Sequence, residues 1–184
     1  MALPSASAGA AAPLSPRLVL FVRAMCVLGA LSLVGVPLWF WNSPDAVRTL
    51  APQFAGVQAV TIDARALQLG ALLSVAPVAL GLFALWQLWR LFGEYGAGRV
   101  FGRPALVHLR RFGWALLGTA LLAPLVRAAG SVVLTLGNPP GQRMLVLGLS
   151  WNDYLAVLLA AVLIAIATVM AEAVRVAEEN QAFV

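Results

Sequence analysis

The chain has 184 residues, of which 62% are hydrophobic and only 10% are charged, and its net charge is +5. Soluble domains are nearer to about 45–50% apolar and about 25% charged, and small domains bury the smallest fraction of their surface. The composition therefore excludes an ordinary soluble fold and predicts that the excess apolar surface faces lipid. The basic residues are all arginine and are spread along the chain, so no nucleic-acid partner is expected.

Residues 1–16 are rich in Ala, Pro and Ser without periodicity and predict a disordered leader. The remainder, 17–184, is predicted to be one membrane domain. At about 1.5 Å per residue, four apolar runs are each long enough to cross the ~30 Å hydrocarbon core as a helix. These runs are 18–41, 67–92, 112–136 and 154–176. The first run ends in Leu38-Trp39-Phe40-Trp41 rather than in a small-residue cleavage site, which favours a retained helix over a signal peptide.

Aromatic and arginine residues predict the orientation of the four spans. Every tryptophan lies within about two helical turns of a span end, as expected for rings that prefer the membrane interface. Only three arginines fall on one side of the predicted membrane, whereas eight fall on the side that carries both termini: Arg17, Arg23, Arg90, Arg99, Arg103, Arg110, Arg111 and Arg175. The arginine-rich side is expected to be cytoplasmic, which places both termini in the cytoplasm.

The two external connections carry short structural signals. Ser43-Pro44-Asp45 combines a capping residue with a first-turn proline and predicts the start of a short helix. Asp63 is a candidate cap for the second span. After the turn predicted at 138–141, residues 144–149 read as a short extended piece, one arm of a small hairpin packed on the bundle. Asn152 or Asp153 is the expected cap of the fourth span.

The cytoplasmic connection, residues 93–111, is basic and rich in glycine, and one or two helical turns are expected at 104–111. A basic segment of this kind is expected to set the topology and to anchor the protein to an anionic leaflet, and docking of a protein partner is the alternative. Glu178 and Glu179, near the C-terminus, are expected to belong to a solvated charged helix end, and a bridge to Arg110 or Arg111 is the alternative. The candidate docking residues are Arg99, Phe101, Arg103, Arg110, Arg111, Glu178 and Glu179.

Arg127 lies inside the third apolar run, about 22 Å along the helix from Phe112. Charged residues at such depth usually face the bundle interior or a polar cavity. Asp153 or Asp63, entering from the outer side, is the expected partner. Two readings stay open for Arg127: a structural ion pair or outward-pointing side chain, and a contact for an anion or other substrate.

No catalytic apparatus or cofactor site is predicted. His108 is the only histidine and lacks neighbours at metal-ligand spacing, while Cys26 lies in an apolar run and is expected to act as a small buried hydrophobe. Gly70 and Ser74 form a pair of small residues four apart, which favours close helix packing. That packing would lie either within the bundle or between copies in a homo-oligomer.

The segments 85–92, 98–101 and 109–113 read LWQLWRLF, GRVF and LRRFG, and the C-terminal part of the chain contains MAEA and AEEN. With these motifs the chain resembles a bacterial family of small membrane proteins called domain of unknown function 2975. The resemblance implies four membrane spans in the bacterial cytoplasmic membrane and supplies no activity, cofactor or catalytic residues.

The sequence therefore predicts an all-α membrane protein, a bundle of four transmembrane helices with both termini cytoplasmic. The leading functional hypothesis is a non-enzymatic protein that regulates, senses for or assists a protein partner. The alternative is a small transporter or channel subunit in which Arg127 lines a polar path.

Overall fold

The computed structural model describes residues 14–55, 63–100, 102–139 and 143–181, and within these ranges it contains five α-helices and no β-strand. They are α1 (Pro16–Asn42), α2 (Pro44–Ala55), α3 (Ala64–Gly96), α4 (Arg103–Thr135) and α5 (Trp151–Gln181). Helices α1, α3, α4 and α5 are long and apolar enough to cross a membrane. The predicted all-α fold with four spans is confirmed, and the chain is a multi-pass membrane protein. Most of the predicted leader, residues 1–13, lies outside the described ranges.

The helices extend beyond the apolar runs that predicted them. Helix α4 begins at Arg103, with a proline in its first turn, so the helical turns expected at 104–111 are its first part. Proline is well tolerated there because the first backbone amides of a helix have no intrahelical acceptor. Hydropathy marks only the stretch that lies in hydrocarbon, whereas backbone hydrogen bonding continues through the flanking polar residues.

The four long helices lie side by side in the order α1, α3, α4, α5. Glycines mark close contacts along this row. Gly81 of α3 faces Leu33 of α1, and Gly113 of α4 lies against Ile164 of α5, with 2.8 Å between the Ile164 side chain and the position a Cβ would take. Because α1 and α5 form the two ends of the row, the bundle is open. Both of its broad faces present apolar side chains to lipid.

Trp41, at the end of α1, fixes α1 against α3. Its indole Nε1 donates a 2.8 Å hydrogen bond to the Ser74 hydroxyl, and its ring lies so close to Gly70 that no side chain would fit there. The small pair Gly70 and Ser74 therefore serves packing inside the bundle. Self-association through this pair stays a prediction.

The short helix predicted after Ser43 is present as α2. Its buried residues Val47 and Ala51 pack with Leu134 of α4, so α2 covers the end of the bundle opposite the termini. Asp63 occupies the N-cap position of α3, but its side chain makes no capping hydrogen bond. The backbone carbonyl of Asp63 instead accepts from the Leu67 amide at 3.2 Å.

Candidate functional site

A polar stripe on α4 consists of Arg127, Ser131 and Thr135, each four residues from the next. Residues four apart lie on one helix face, and here that face meets residues 143–150. Ser131 Oγ accepts from the Val146 amide at 2.9 Å, and Thr135 Oγ1 accepts from the Met144 amide at 3.2 Å. The two hydroxyls donate to helical carbonyls, to Ala128 at 2.7 Å and to Ser131 at 2.8 Å respectively.

The segment 143–150 runs back along α4 with every second residue facing the stripe. Arg127 continues the pattern, since its guanidinium lies 3.4 Å from the Gly148 carbonyl. Four residues of helix rise about 6 Å, and two residues of extended chain cover about 6.6 Å, so the two repeats nearly match. The predicted extended piece is thus packed on the bundle. Within the described part of the chain it pairs with helix side chains and not with a second strand, so the predicted hairpin is wrong there.

The Arg127 guanidinium forms an ion pair with Asp153 at the start of α5. The Asp153 side chain is only 9% exposed and that of Arg127 is 38% exposed. Of the two partners proposed from the sequence, the structure brings Asp153 to Arg127 and leaves Asp63 at the start of α3.

Asp153 also closes the N-terminus of α5. Its carboxylate accepts from the Ser150 amide at 2.7 Å, while the Ser150 hydroxyl accepts from the Asp153 amide at 3.2 Å. This reciprocal pair is a capping box. The capping residue is therefore Ser150, and the prediction of Asn152 or Asp153 as the cap is wrong because each lies inside the first turn of α5.

Two aromatic residues lie close to Asp153 in sequence at the start of α5. Trp151 and Tyr154, which stack with ring centroids 5.2 Å apart, flank Asp153 in sequence. About one turn of α4 beyond Arg127, Gly130 faces Leu73 of α3. Leu73 directly precedes Ser74, whose hydroxyl accepts from the Trp41 indole. The depth of Arg127 in the membrane stays a prediction.

The opposite end, which carries the termini and residues 90–111 and 172–179, is called the arginine-rich end. Here Arg103 of α4 forms a two-point ion pair with Glu178 of α5, including a 3.2 Å bond from Nε to Oε1. The carboxylate of Glu94 accepts a 2.7 Å hydrogen bond from Arg99 and thereby raises the pKa of Arg99 above its ordinary value. Arg175 pairs within its own helix, with Glu172 and Glu179.

The bridge from the acidic tail to Arg110 or Arg111 that the sequence left as an alternative is not made. Glu178 reaches Arg103 because α4 starts earlier than its apolar run, which places Arg103 beside the end of α5. Among the described residues, Arg110 and Arg111 form no ion pair, and both are exposed. Phe101, the apolar member of the predicted docking set, lies outside the described residues.

Two polar contacts between the helices were not predicted from the sequence. Gln87 of α3 is fully buried, and its Oε1 lies 2.7 Å from Nδ1 of His108 on α4. On the other side of α3, the Arg23 guanidinium lies 4.9 Å from the centre of the Trp89 ring. Within the described ranges, no three His, Cys, Asp or Glu side chains converge as a metal site. These polar contacts join neighbouring helices.

Comparisons with known proteins place the chain in a family. A family model described as "Protein of unknown function (DUF2975)" matches residues 41–184, which include α2 to α5 and the end of α1. Neither the curated proteins nor the solved structures include a significant match to the chain. The matched region covers most of the sequence and includes the polar stripe and the arginine-rich end, so the chain belongs to the DUF2975 family of proteins of unknown function.

Proposed function

We propose that this chain is a non-enzymatic protein of the bacterial cytoplasmic membrane that regulates, senses for or assists another protein. The contact with that protein is made at the arginine-rich end, which faces the cytoplasm. The single observation that carries the proposal is that Arg110 and Arg111 are exposed and free of ion pairs in the described chain, next to a helix pair held together by Arg103 and Glu178.

A preformed surface and two arginines without ion pairs in the described chain together favour docking of a protein partner. Buried packing of Ala105 and Leu109 of α4 with Ala167 of α5 holds this end of the two helices in one arrangement, so a partner meets a preformed surface and loses less conformational entropy on binding. Arg110 and Arg111 are two guanidinium groups that can pair with carboxylates of an acidic partner surface. A partner protein with an acidic, membrane-proximal surface fits this end of the molecule.

The alternative, a transporter or channel subunit that uses Arg127, has less support. The Arg127 guanidinium is engaged by Asp153 and the Gly148 carbonyl, and these contacts lie near one interface rather than along a path between the helices. A polar path through the bundle would need further polar groups along it. In the described helices the buried polar side chains include Gln87 and Ser131; Ser131 donates to the Ala128 carbonyl, and Gln87 contacts His108 through Oε1 while its Nε2 has no partner.

Affinity capture from native membranes tests the proposal. A C-terminally tagged wild-type chain is expected to recover a reproducible protein partner, and Arg110→Gln together with Arg111→Gln should lower the recovery at least fivefold. The expected loss follows from the removal of two charge-assisted contacts at the proposed interface.

Arg65→Gln is the matched control, because Arg65 is an exposed arginine at the opposite end of the bundle. It should leave the recovery unchanged. Equal recovery by the double variant and the wild type, at equal membrane abundance, would contradict docking at the arginine-rich end. An ion flux carried by the purified chain alone, and lost in Arg127→Gln, would favour the transporter alternative.

A further inference from the structure

Two cavities follow one another along the groove between α1 and α3, beginning at the arginine-rich end. The first measures about 620 Å³ and the second about 430 Å³, within the size range of small-molecule sites. On α1, the lining of the first cavity ends at Arg23 and that of the second starts at Cys26. On α3, the first ends at Gly93 and the second starts at Arg90. Two arginines therefore lie at the border between the cavities.

Arg23 touches the walls of both cavities. Its guanidinium lies over the ring of Trp89, 4.9 Å from the ring centre, and Trp89 lines the second cavity. Its Nη2 lies 2.7 Å from the position that a Cβ would take on Gly93, which lines the first cavity. The Nε atom of Arg23 is buried and has no hydrogen-bond partner in the described structure. Stacking and packing therefore hold Arg23 in place without a counter-charge.

Neither arginine at this border is neutralised by the protein. Arg23 and Arg90 form no ion pair in the described part of the chain, and the residues that line the two cavities there include no acid. Glu94, one turn along α3 from Arg90, is engaged by Arg99. A guanidinium that stacks on a ring still presents its planar fork of N–H donors to a phosphate. The border thus offers two positive charges to an added anion.

From the border toward the membrane centre, the groove is apolar. The second cavity extends on α3 from Arg90 to Leu82, about 12 Å along the helix, and its lining includes Val27 and Ala30 of α1 and Leu85 of α3. Arg90 is the charged member of this lining and lies at the end nearest the termini. A ligand in the second cavity meets charge at that end and apolar side chains beyond it. Inorganic phosphate would leave these side chains without a partner.

The first cavity lies on the other side of the border, beside the start of α1 and the end of α3. Gly93, Gly96 and Ala97 leave its α3 side wide, and Val19 and Leu20 make its α1 side apolar. The three α3 residues follow the predicted end of the apolar run at 92, at the level expected for lipid headgroups. The first cavity therefore gives a headgroup space, and the phosphate is the group that the arginines recognise.

We propose that the groove between α1 and α3 binds an anionic phospholipid from the leaflet at the arginine-rich end. The phosphate lies at the border with Arg23 and Arg90, the rest of the headgroup occupies the first cavity, and an acyl chain follows the second cavity toward Leu82. A zwitterionic headgroup fits less well, because its cation would lie beside two arginines with no acid in the described linings. Basic pockets between membrane helices are a recurring mode of anionic lipid recognition.

Lipid retention by the purified full-length protein tests this site. The protein is exchanged into mixed micelles with equal amounts of phosphatidylglycerol and phosphatidylcholine, re-purified, and its bound lipid is counted by native mass spectrometry. The wild type is expected to retain one phosphatidylglycerol in preference to phosphatidylcholine. Arg23→Gln and Arg90→Gln should each lower that preference about fivefold, as expected for one arginine lost beside an anionic lipid. Arg23→Lys should keep part of the preference, because the charge returns without the planar fork that stacks on Trp89.

Arg17→Gln is the matched control, since it removes the same charge from an exposed residue of α1 that lines neither cavity, and it should retain lipid as the wild type does. Equal losses in Arg17→Gln and Arg23→Gln would reduce the effect to general surface charge and overturn the proposal. No preference for phosphatidylglycerol in the wild type, or its displacement by millimolar inorganic phosphate, would overturn it as well.

A second pair of variants tests the apolar part without a change of charge. Val27 lines the second cavity and is exposed, so Val27→Trp narrows the cavity and should lower lipid retention. Leu28→Trp places the same ring on the next residue, which is exposed and outside both linings, and should not lower it. Equal retention by Val27→Trp and the wild type would refute the acyl-chain position. This groove does not include Arg110 or Arg111, and lipid retention and protein capture are separate readouts, so a failure here leaves the proposed docking function standing.

Discussion

At the scale of single residues, Asp153 joins several elements through its side-chain contacts. Its carboxylate pairs with Arg127 and also accepts from the Ser150 amide, so one side chain joins α4, the segment 143–150 and the first turn of α5. Because the Asp153 side chain is nearly buried, loss of its counter-charge would leave a carboxylate with little access to water. Both residues therefore belong to one structural unit.

Arg127→Leu is expected to lower the membrane abundance of the protein severalfold, because it leaves Asp153 without a counter-ion. Adding Asp153→Asn should restore most of the abundance, since asparagine removes the charge and its carbonyl oxygen still accepts from the Ser150 amide. Quantitative immunoblotting of membrane fractions measures both. If Arg127→Leu alone is as abundant as the wild type, the pair has no structural role.

At the scale of elements, residues 143–150 show how non-helical backbone is accommodated beside membrane helices. Their amides at Met144 and Val146 are satisfied by the hydroxyls of Thr135 and Ser131. The outward residues Leu145, Leu147 and Leu149 are apolar, and Leu147 is 74% exposed. Irregular backbone next to lipid requires such partners, since an unsatisfied amide there is costly. The polar stripe on α4 supplies them.

Ser131→Ala combined with Thr135→Ala should release this segment while the helices persist. Hydrogen exchange at the Met144 and Val146 amides is expected to accelerate by roughly fivefold for each hydrogen bond lost. Thr168→Ala is the matched control, because the Thr168 hydroxyl bonds only to the Ile164 carbonyl of its own helix, at 2.8 Å. Unchanged exchange in the double variant would show that other contacts hold the segment.

The sequence allowed the helices to be predicted because lipid-facing residues need only be apolar, and long apolar runs are visible without any knowledge of neighbours. Asp153 could also be proposed as a partner for Arg127, because few acidic residues lie near the predicted outer side of the membrane. The role of Ser131 and Thr135 could not be predicted, because it depends on the register between an extended segment and a helix face. Two signals were available in the sequence: the four-residue spacing of Arg127, Ser131 and Thr135, and the Ser150-x-x-Asp153 pattern.

The arginine-rich end was predicted less well, for a physical reason. Pairing of Glu178 with Arg103 rather than with Arg110 depends on where α4 begins. Helical turns were predicted at 104–111, just after the observed start at Arg103, but hydropathy does not indicate which arginine of α4 lies beside the end of α5.

At the scale of the whole molecule, the open row gives each end of the bundle a separate character. One end is capped by α2 and the segment 143–150, and the other displays most of the arginines. The four spans place both termini at the arginine-rich end. The distribution of arginine predicts that this end is cytoplasmic.

Labelling of single cysteines tests this orientation in a Cys26→Ala background. A membrane-impermeant maleimide applied to intact cells should label Arg48→Cys, whose native side chain is 62% exposed, but should label Arg111→Cys only after lysis. The reverse pattern would place the arginine-rich end outside and contradict the proposed docking to a cytoplasmic partner.

Two ion pairs join α4 to α5 at positions far apart along both helices. Arg103 and Arg127 are 24 residues apart, and their partners Glu178 and Asp153 are 25 apart, so the fastened lengths agree at about 36 Å. Sliding α5 past α4 by one turn, about 5.4 Å, would break both ion pairs at once. These two helices are therefore held in one register along the length between the two ion pairs.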